Sequence, residues 1–167
     1  MSNSINFENS FAKELNEICE KCSPTAFLGS EILLKNYKLA EELGLSKNFV
    51  DSEECLNIFS GVSLPENSIP IAQAYAGHQF AYFTMLGDGR AHMLGEHILP
   101  DQSRVDIQFK GSGLTPYSRR GDGRATLGPM LREYIIAEAM HRLNIPTTRS
   151  LAVVTTGEDV IRETILP

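Results

Sequence analysis

The pattern of apolar and polar positions changes character near residue 70. Before it, apolar residues recur at helical steps. Phe11, Leu15, Ile18 and Cys22 share one stripe and predict a helix over 11–22. Ile32, Leu33, Tyr37, Leu39, Ala40 and Leu43 predict a second over 31–43, stopped by Gly44. A third is expected over 51–60, with Asp51 or Ser52 as N-cap and Leu56 and Phe59 inward. SLPENSIP then reads as a turn-rich connector.

After Pro70 the pattern becomes strand-like. HQFAYFTML (78–86) and AHMLGEHIL (91–99) flank Gly87-Asp88-Gly89-Arg90, and Asp-Gly between two such runs predicts a hairpin turn. RVDIQFK (104–110) alternates, with Val105, Ile107 and Phe109 on one face and Asp106, Gln108 and Lys110 on the other. Residues 111–128 are too polar and too rich in glycine for a core element and read as a loop. Pro129 opens a helix over 129–143, ended by Asn144 and Pro146. SLAVVTT and VIRETIL predict a fourth and a fifth strand, joined in a second hairpin at Gly157-Glu158. The element order predicts an α+β class: a mostly antiparallel sheet of about five strands with one packed helix. Two regions are expected, a helical extension over 1–70 and a lobe over 71–167.

Composition narrows the class. Of 167 residues, 42% are apolar and 22% charged, which excludes collagen, a disulfide scaffold and a disordered tail. No apolar run approaches the roughly 20 residues that span a bilayer. The N-terminus lacks the basic and apolar regions of a secretory signal and is too acidic for a transit peptide. A cytoplasmic location and no membrane partner are therefore expected. The net charge of −6 is uneven: residues 1–70 hold 5 basic and 11 acidic groups, whereas 104–149 hold 8 basic, seven of them arginine, and 4 acidic. Arginine's planar fork suits phosphate and carboxylate. A solvated face or internal ion pairs would account for the same run. The acidic remainder and sparse aromatic interleaving argue against a nucleic-acid partner.

The cysteines and histidines add little. Cys19 and Cys22 form a CxxC pair without the second pair that a structural zinc site needs. The pair falls in a helix-like acidic segment rather than at the end of a buried strand, so plain thiols are expected. His78, His92, His97 and His141 show no ligand spacing.

Four features converge on nucleotide chemistry. Gly87-Asp88-Gly89-Arg90 could bring backbone close to a ligand and offer N–H groups to phosphate oxygens; alone it is an ordinary turn. Lys110 ends the third strand; alone it is an exposed lysine. Glu133 stands in the first turn of the following helix, 23 residues later; alone it complements the helix dipole. Together they follow the logic of a kinase-like lobe: a glycine turn over phosphates, a strand lysine reaching them, and a helix glutamate holding the lysine. The GxGxxG pattern is absent. The fourth feature is a second GDGRA, Gly121 to Ala125, repeating Gly87 to Ala91 at an interval of 34. Arg119, Arg120 and Arg124 crowd around its Asp122.

YAGHQFAYFTMLGDGRAHMLGE, DIQFKGSGLTPYSRRGDGRATLGPMLREYIIAEAMHRLNIPTTRSLAVVTTGE and VIRE closely resemble the selenoprotein O family. The resemblance is dense over 71–165 and looser over 24–70. KGSGLTPYSRRGDGRA carries most of its specificity. One departure is Ala81, where the family usually has glycine. The resemblance implies a protein-kinase-like fold and transfer of AMP from ATP, bound in a flipped orientation, to Ser, Thr or Tyr hydroxyls of proteins. Matched by motif, Gly87, Gly89 and Arg90 fall on the family's nucleotide loop and Lys110 on its phosphate-binding lysine. Glu133 falls on the glutamate that pairs with that lysine, and Asp122 and Gly123 on further nucleotide contacts.

The same resemblance implies a catalytic-base aspartate and ligands for Mg2+ (or Mn2+) beyond VIRE. No catalytic or metal residue is therefore expected within the chain, which reads as an N-terminal piece lacking the second lobe. Such a piece should bind ATP, need a separately supplied C-terminal half to act on proteins, and expose apolar surface. The alternative is a non-catalytic ATP-binding or regulatory fragment, a pseudokinase remnant.

Overall fold

The computed structural model describes residues 4–79 and 81–167. In chain order the elements are β1 (Phe7–Glu8), α1 (Ser10–Glu14), β2 (Cys19–Lys21), β3 (Glu31–Lys35), α2 (Tyr37–Glu42), α3 (Lys47–Val50) and α4 (Glu53–Phe59). Then follow β4 (Ile71–Gln79), β5 (Tyr82–Gly87), β6 (Ala91–Ile98), β7 (Arg104–Lys110), α5 (Leu127–Arg142), β8 (Ala152–Thr155), β9 (Val160–Ile161) and β10 (Ile165–Leu166). The class is α+β, and every strand pairing is antiparallel. The chain forms two compact units, one of residues 1–5, 26–63 and 125–167 and one of residues 6–25 and 64–124.

The second unit holds a six-stranded sheet built on β6. Ala91–His97 are all buried, because β6 is paired along both edges: β7 on one side, β1 and the start of β4 on the other. β7 follows the expected alternation, with Val105, Ile107 and Phe109 half-buried and their neighbours exposed. Glu96 is buried because it accepts from the Ser10 hydroxyl and the Phe11 amide, which fixes α1 on the sheet.

Residues 87–90 are not the expected hairpin turn. β5 pairs with β4 from Ala74↔Gly87 to Gln79↔Tyr82, and β6 pairs with β4 at Ile71↔Met93. Both run antiparallel to one strand, so β5 and β6 lie end to end along it and Gly87–Arg90 is an insertion between them. The chain reverses between Gln79 and Tyr82 instead, inside the single strand expected over 78–86, of which Phe80 lies outside the described residues. Ala81 takes a left-handed φ of 66°. Glycine occupies that conformation without steric cost, a physical reason for the glycine usual there in the resembled family.

The first unit pairs β3 with β8 and β9 with β10. Three expectations are corrected. Residues 31–35 are a strand, not the start of a helix: Asn36 caps α2 by accepting from the Leu39 amide, so the helix cannot extend back, and β8 supplies a ladder more than 110 residues away. VIRETIL is two short strands folded at Arg162–Thr164, and the partner of β8 is β3 rather than the fifth strand. In the other unit, the helix expected over 11–22 stops at Glu14, and Cys19–Lys21 pair with β4. The CxxC pair therefore begins on a strand, and its thiols are free.

Other expectations hold. Ser52 caps α4. α5 ends as expected before Asn144, whose φ of 57° breaks the helix, but it begins at Leu127 rather than Pro129, which leaves Glu133 beyond its first turn. α5 lies against β8. Arg149 donates to both carboxylate oxygens of Glu138, at 2.9 and 3.0 Å, and to Glu42, tying α5 to α2. Apolar surface is left open in this unit: Leu143 and Ile165 are each 69% exposed and Ile161 76%.

Candidate functional site

The loop after β7 is ordered, and side-chain hydroxyls order it. The Thr115 hydroxyl donates to the Asp88 carbonyl (2.6 Å) and the Ser118 hydroxyl to the Gly89 carbonyl (2.7 Å). The Tyr117 amide donates to Thr115 Oγ1 and the Thr115 amide to Ser118 Oγ. A TPYS run thus laces the loop onto the first Gly-Asp-Gly-Arg stretch. Tyr117 is seated on Gly87: a Cβ there would meet its ring at 2.5 Å, so only glycine fits. Burial raises the Tyr117 phenol pKa, and the surrounding Glu20, Cys19, Cys22 and Asp88 push it the same way.

Asp88, passed over in the sequence reading, is the staple of the insertion. Its amide donates to the Gln73 carbonyl (2.9 Å) and its carboxylate accepts from the Gln73 amide (3.0 Å). The side chain completes the β4 ladder where the backbone has bulged away. Burial raises its pKa, opposed by the bond from Gln73. The Gly89 amide donates to the Gly87 carbonyl. Two of the amides expected to face phosphate therefore already have acceptors, and the chemistry left to this stretch is the exposed Arg90 side chain.

Arg90 and Lys110 come from neighbouring positions of one backbone ladder. Lys110 pairs with Ala91, the residue after Arg90, and the Gly111 amide donates to the Arg90 carbonyl (2.7 Å). Both side chains are exposed. The second Gly-Asp-Gly-Arg stretch joins the same layer. The Gly113 amide donates to the Gly123 carbonyl (3.1 Å), and Ser112 bridges Arg124. Asp122 Oδ1 accepts from the Arg124 amide (2.9 Å), shaping the turn, and Gly123 has a left-handed φ of 71°. Gly87, Gly89, Arg90, Lys110, Asp122 and Gly123 thus share one unit. Glu133 stands in α5, in the other unit.

Of the seven arginines in the basic segment, Arg149 and Arg104 are engaged in ion pairs, the latter with Glu8 at 3.1 Å. Arg90, before that segment, and Arg119, Arg120 and Arg124 belong to the two turns and the loop between them. Arg90, Arg119 and Arg120 are exposed, and exposed cations on a backbone-fixed layer suit a polyphosphate. Among the described residues no three His, Cys, Asp or Glu side chains cluster to hold a metal ion. No helix among them is long and apolar enough to cross a membrane.

The family model for protein adenylyltransferase SelO matches residues 2–165. The chain belongs to the SelO family. Among curated relatives, the protein nucleotidyltransferase YdiU of Anoxybacillus flavithermus is 60% identical over 167 residues, all of this chain and 35% of that protein. Its namesake in Nitrosococcus oceani is 60% identical over 160 residues, 96% of this chain and 32% of that protein. That of Clostridium botulinum is 57% identical over 166 residues, covering 99% and 34%. The chain spans about a third of the length of the SelO-family relatives it matches. The antiparallel α+β architecture accords with the fold that the sequence resemblance implied.

Proposed function

We propose that this chain is the nucleotide-binding portion of a protein adenylyltransferase. Arg90 and Lys110 hold the phosphates of ATP, aided by the turn at Asp122–Gly123, while Gly87 and Gly89 keep the first turn flat enough for that layer to form. In the reaction, a Ser, Thr or Tyr hydroxyl oxygen of a protein bonds to the α-phosphorus of ATP, the α–β phosphoanhydride bond breaks, pyrophosphate leaves and a base takes the hydroxyl proton. The base and the ligands for Mg2+ or Mn2+ are assigned to the further sequence that the relatives possess; this chain's residues bind and orient. The observation that supports the reading is the bond from the Gly111 amide to the Arg90 carbonyl, which joins the backbone at the end of the lysine strand to the first glycine turn.

The experiment supplies ATP labelled on its α-phosphate, magnesium and a protein acceptor. It is run with this chain alone and with the remaining portion of a relative added as a second polypeptide. Label is expected on protein only in the reconstituted sample. ATP binding without transfer in either sample would support the second reading, a nucleotide-binding portion without catalysis.

A further inference from the structure

β6 buries a histidine that the proposed function does not use. His92 has no exposed surface. Its Nδ1 lies 2.7 Å from Ser112 Oγ, and its Nε2 has no hydrogen-bond partner among the described residues. A buried nitrogen without a partner is costly, whereas an apolar side chain of similar size would fill the site without that cost. The contact with the Ser112 side chain is what an apolar residue could not make.

Ser112 sits where the layer converges. Its carbonyl accepts from the Thr25 amide (2.8 Å), and its backbone bridges Arg124. The neighbouring amides of Gly111 and Gly113 reach the carbonyls of Arg90 and Gly123. Lys110 is two residues before it. A bond to the Ser112 side chain thus holds one point from which the strand end and both glycine turns are set.

We propose that His92 is a positioning residue of the candidate nucleotide site, holding Ser112 and through it Lys110 and the second Gly-Asp-Gly-Arg turn. The inference rests on the nucleotide reading above. The proton belongs on Nδ1, donating to Ser112 Oγ, because an unpaired buried lone pair on Nε2 costs less than an unpaired N–H. A second proton would put a charge on a ring with no exposed surface. Burial accordingly lowers the imidazole pKa from its ordinary 6.5, with the Leu114 backbone acting the other way and no charged neighbour among the causes. The residue opposite on β7 is Phe109, and Ser112 and Leu114 meet the ring from the loop; none of them titrates. Below about pH 6.5 a released His92 takes up protons that a buried one refuses, so the loop's hold weakens as the pH falls through that window.

The test compares wild type, His92→Phe, His92→Gln and Ser112→Ala. Amide exchange over 111–124 and ATP affinity are followed from pH 5.5 to 8. Ser112→Ala breaks the same bond without touching the core, which keeps the test open if His92→Phe fails to fold. At pH 7.5, His92→Phe and Ser112→Ala are expected to exchange about 3- to 10-fold faster in the loop, with β7 unchanged, and to bind ATP more weakly by a similar factor. His92→Gln can still bond to Ser112, so it should recover most of both at pH 7.5 and lose the acid-side decline of wild type. Wild-type loop exchange and an unaltered pH profile in all three variants, with ATP still bound, would overturn the role of His92 and leave the nucleotide reading intact. Faster loop exchange in a chain whose wild type binds no ATP would do the reverse.

Discussion

Replacing Lys110 with alanine is expected to lower the affinity for ATP by about 10- to 100-fold. A charged donor to a phosphate oxygen contributes about 1.5–3 kcal/mol, and every 1.4 kcal/mol is roughly a factor of ten. The backbone at this position is fixed independently of the side chain, by the Ala91↔Lys110 pairing and the bond from Gly111 to Arg90. The side chain is exposed, so its removal should leave the unfolding midpoint almost unchanged. Calorimetric titration with ATP at fixed ionic strength gives the result directly. A stable variant with unchanged affinity would remove Lys110 from the site.

The second large effect concerns shape rather than charge. A Cβ at Gly123 would lie 1.9 Å from the Gly113 carbonyl oxygen, at a φ of 71°. Left-handed backbone costs a non-glycine residue roughly 1–2 kcal/mol, and the overlap forces the two loop strands apart at roughly 1–3 kcal/mol more. Gly123→Ala is therefore expected to destabilise the second unit by about 2–5 kcal/mol and to abolish ATP binding with it. Gly128 is the contrast. It lies in α5 with nothing within 4 Å of its missing Cβ, so Gly128→Ala should be neutral or stabilising by up to about 1 kcal/mol. Thermal unfolding of the two variants side by side tests the pair. Equal stabilities would mean that the loop does not close on Gly123 as described.

What the sequence made legible was local. The alternation of RVDIQFK, the cap at Ser52 and the stop at Asn144 depend on neighbours in the chain, and each stands in the structure. The errors share one cause. EILLK has helical composition but forms a ladder with residues 152–155, and Cys19–Lys21 leave a helical stripe to pair with β4. Partners so distant leave no trace in periodicity. The Asn36 cap was a signal that could have been read. The GDGR motif pointed to a special backbone but not to its kind, because an insertion between two collinear strands and a hairpin tip need the same glycines. The loop over 111–128 looked merely polar. Its order comes from Thr115, Ser118 and Tyr117 reaching back to residues 87–89, and their hydroxyls announced hydrogen bonding without naming the acceptors.

The central claim is that two separated Gly-Asp-Gly-Arg stretches and one strand lysine form a single nucleotide-binding layer. The most direct measurement is the per-residue amide response of this chain to ATP, followed by NMR chemical shifts at fixed salt. The expected result is a saturable change concentrated at 87–91, 110–113 and 121–125, with one affinity for all three stretches and little change along β9 and β10. Separate affinities for the two turns, or a response that bypasses them, would contradict the account.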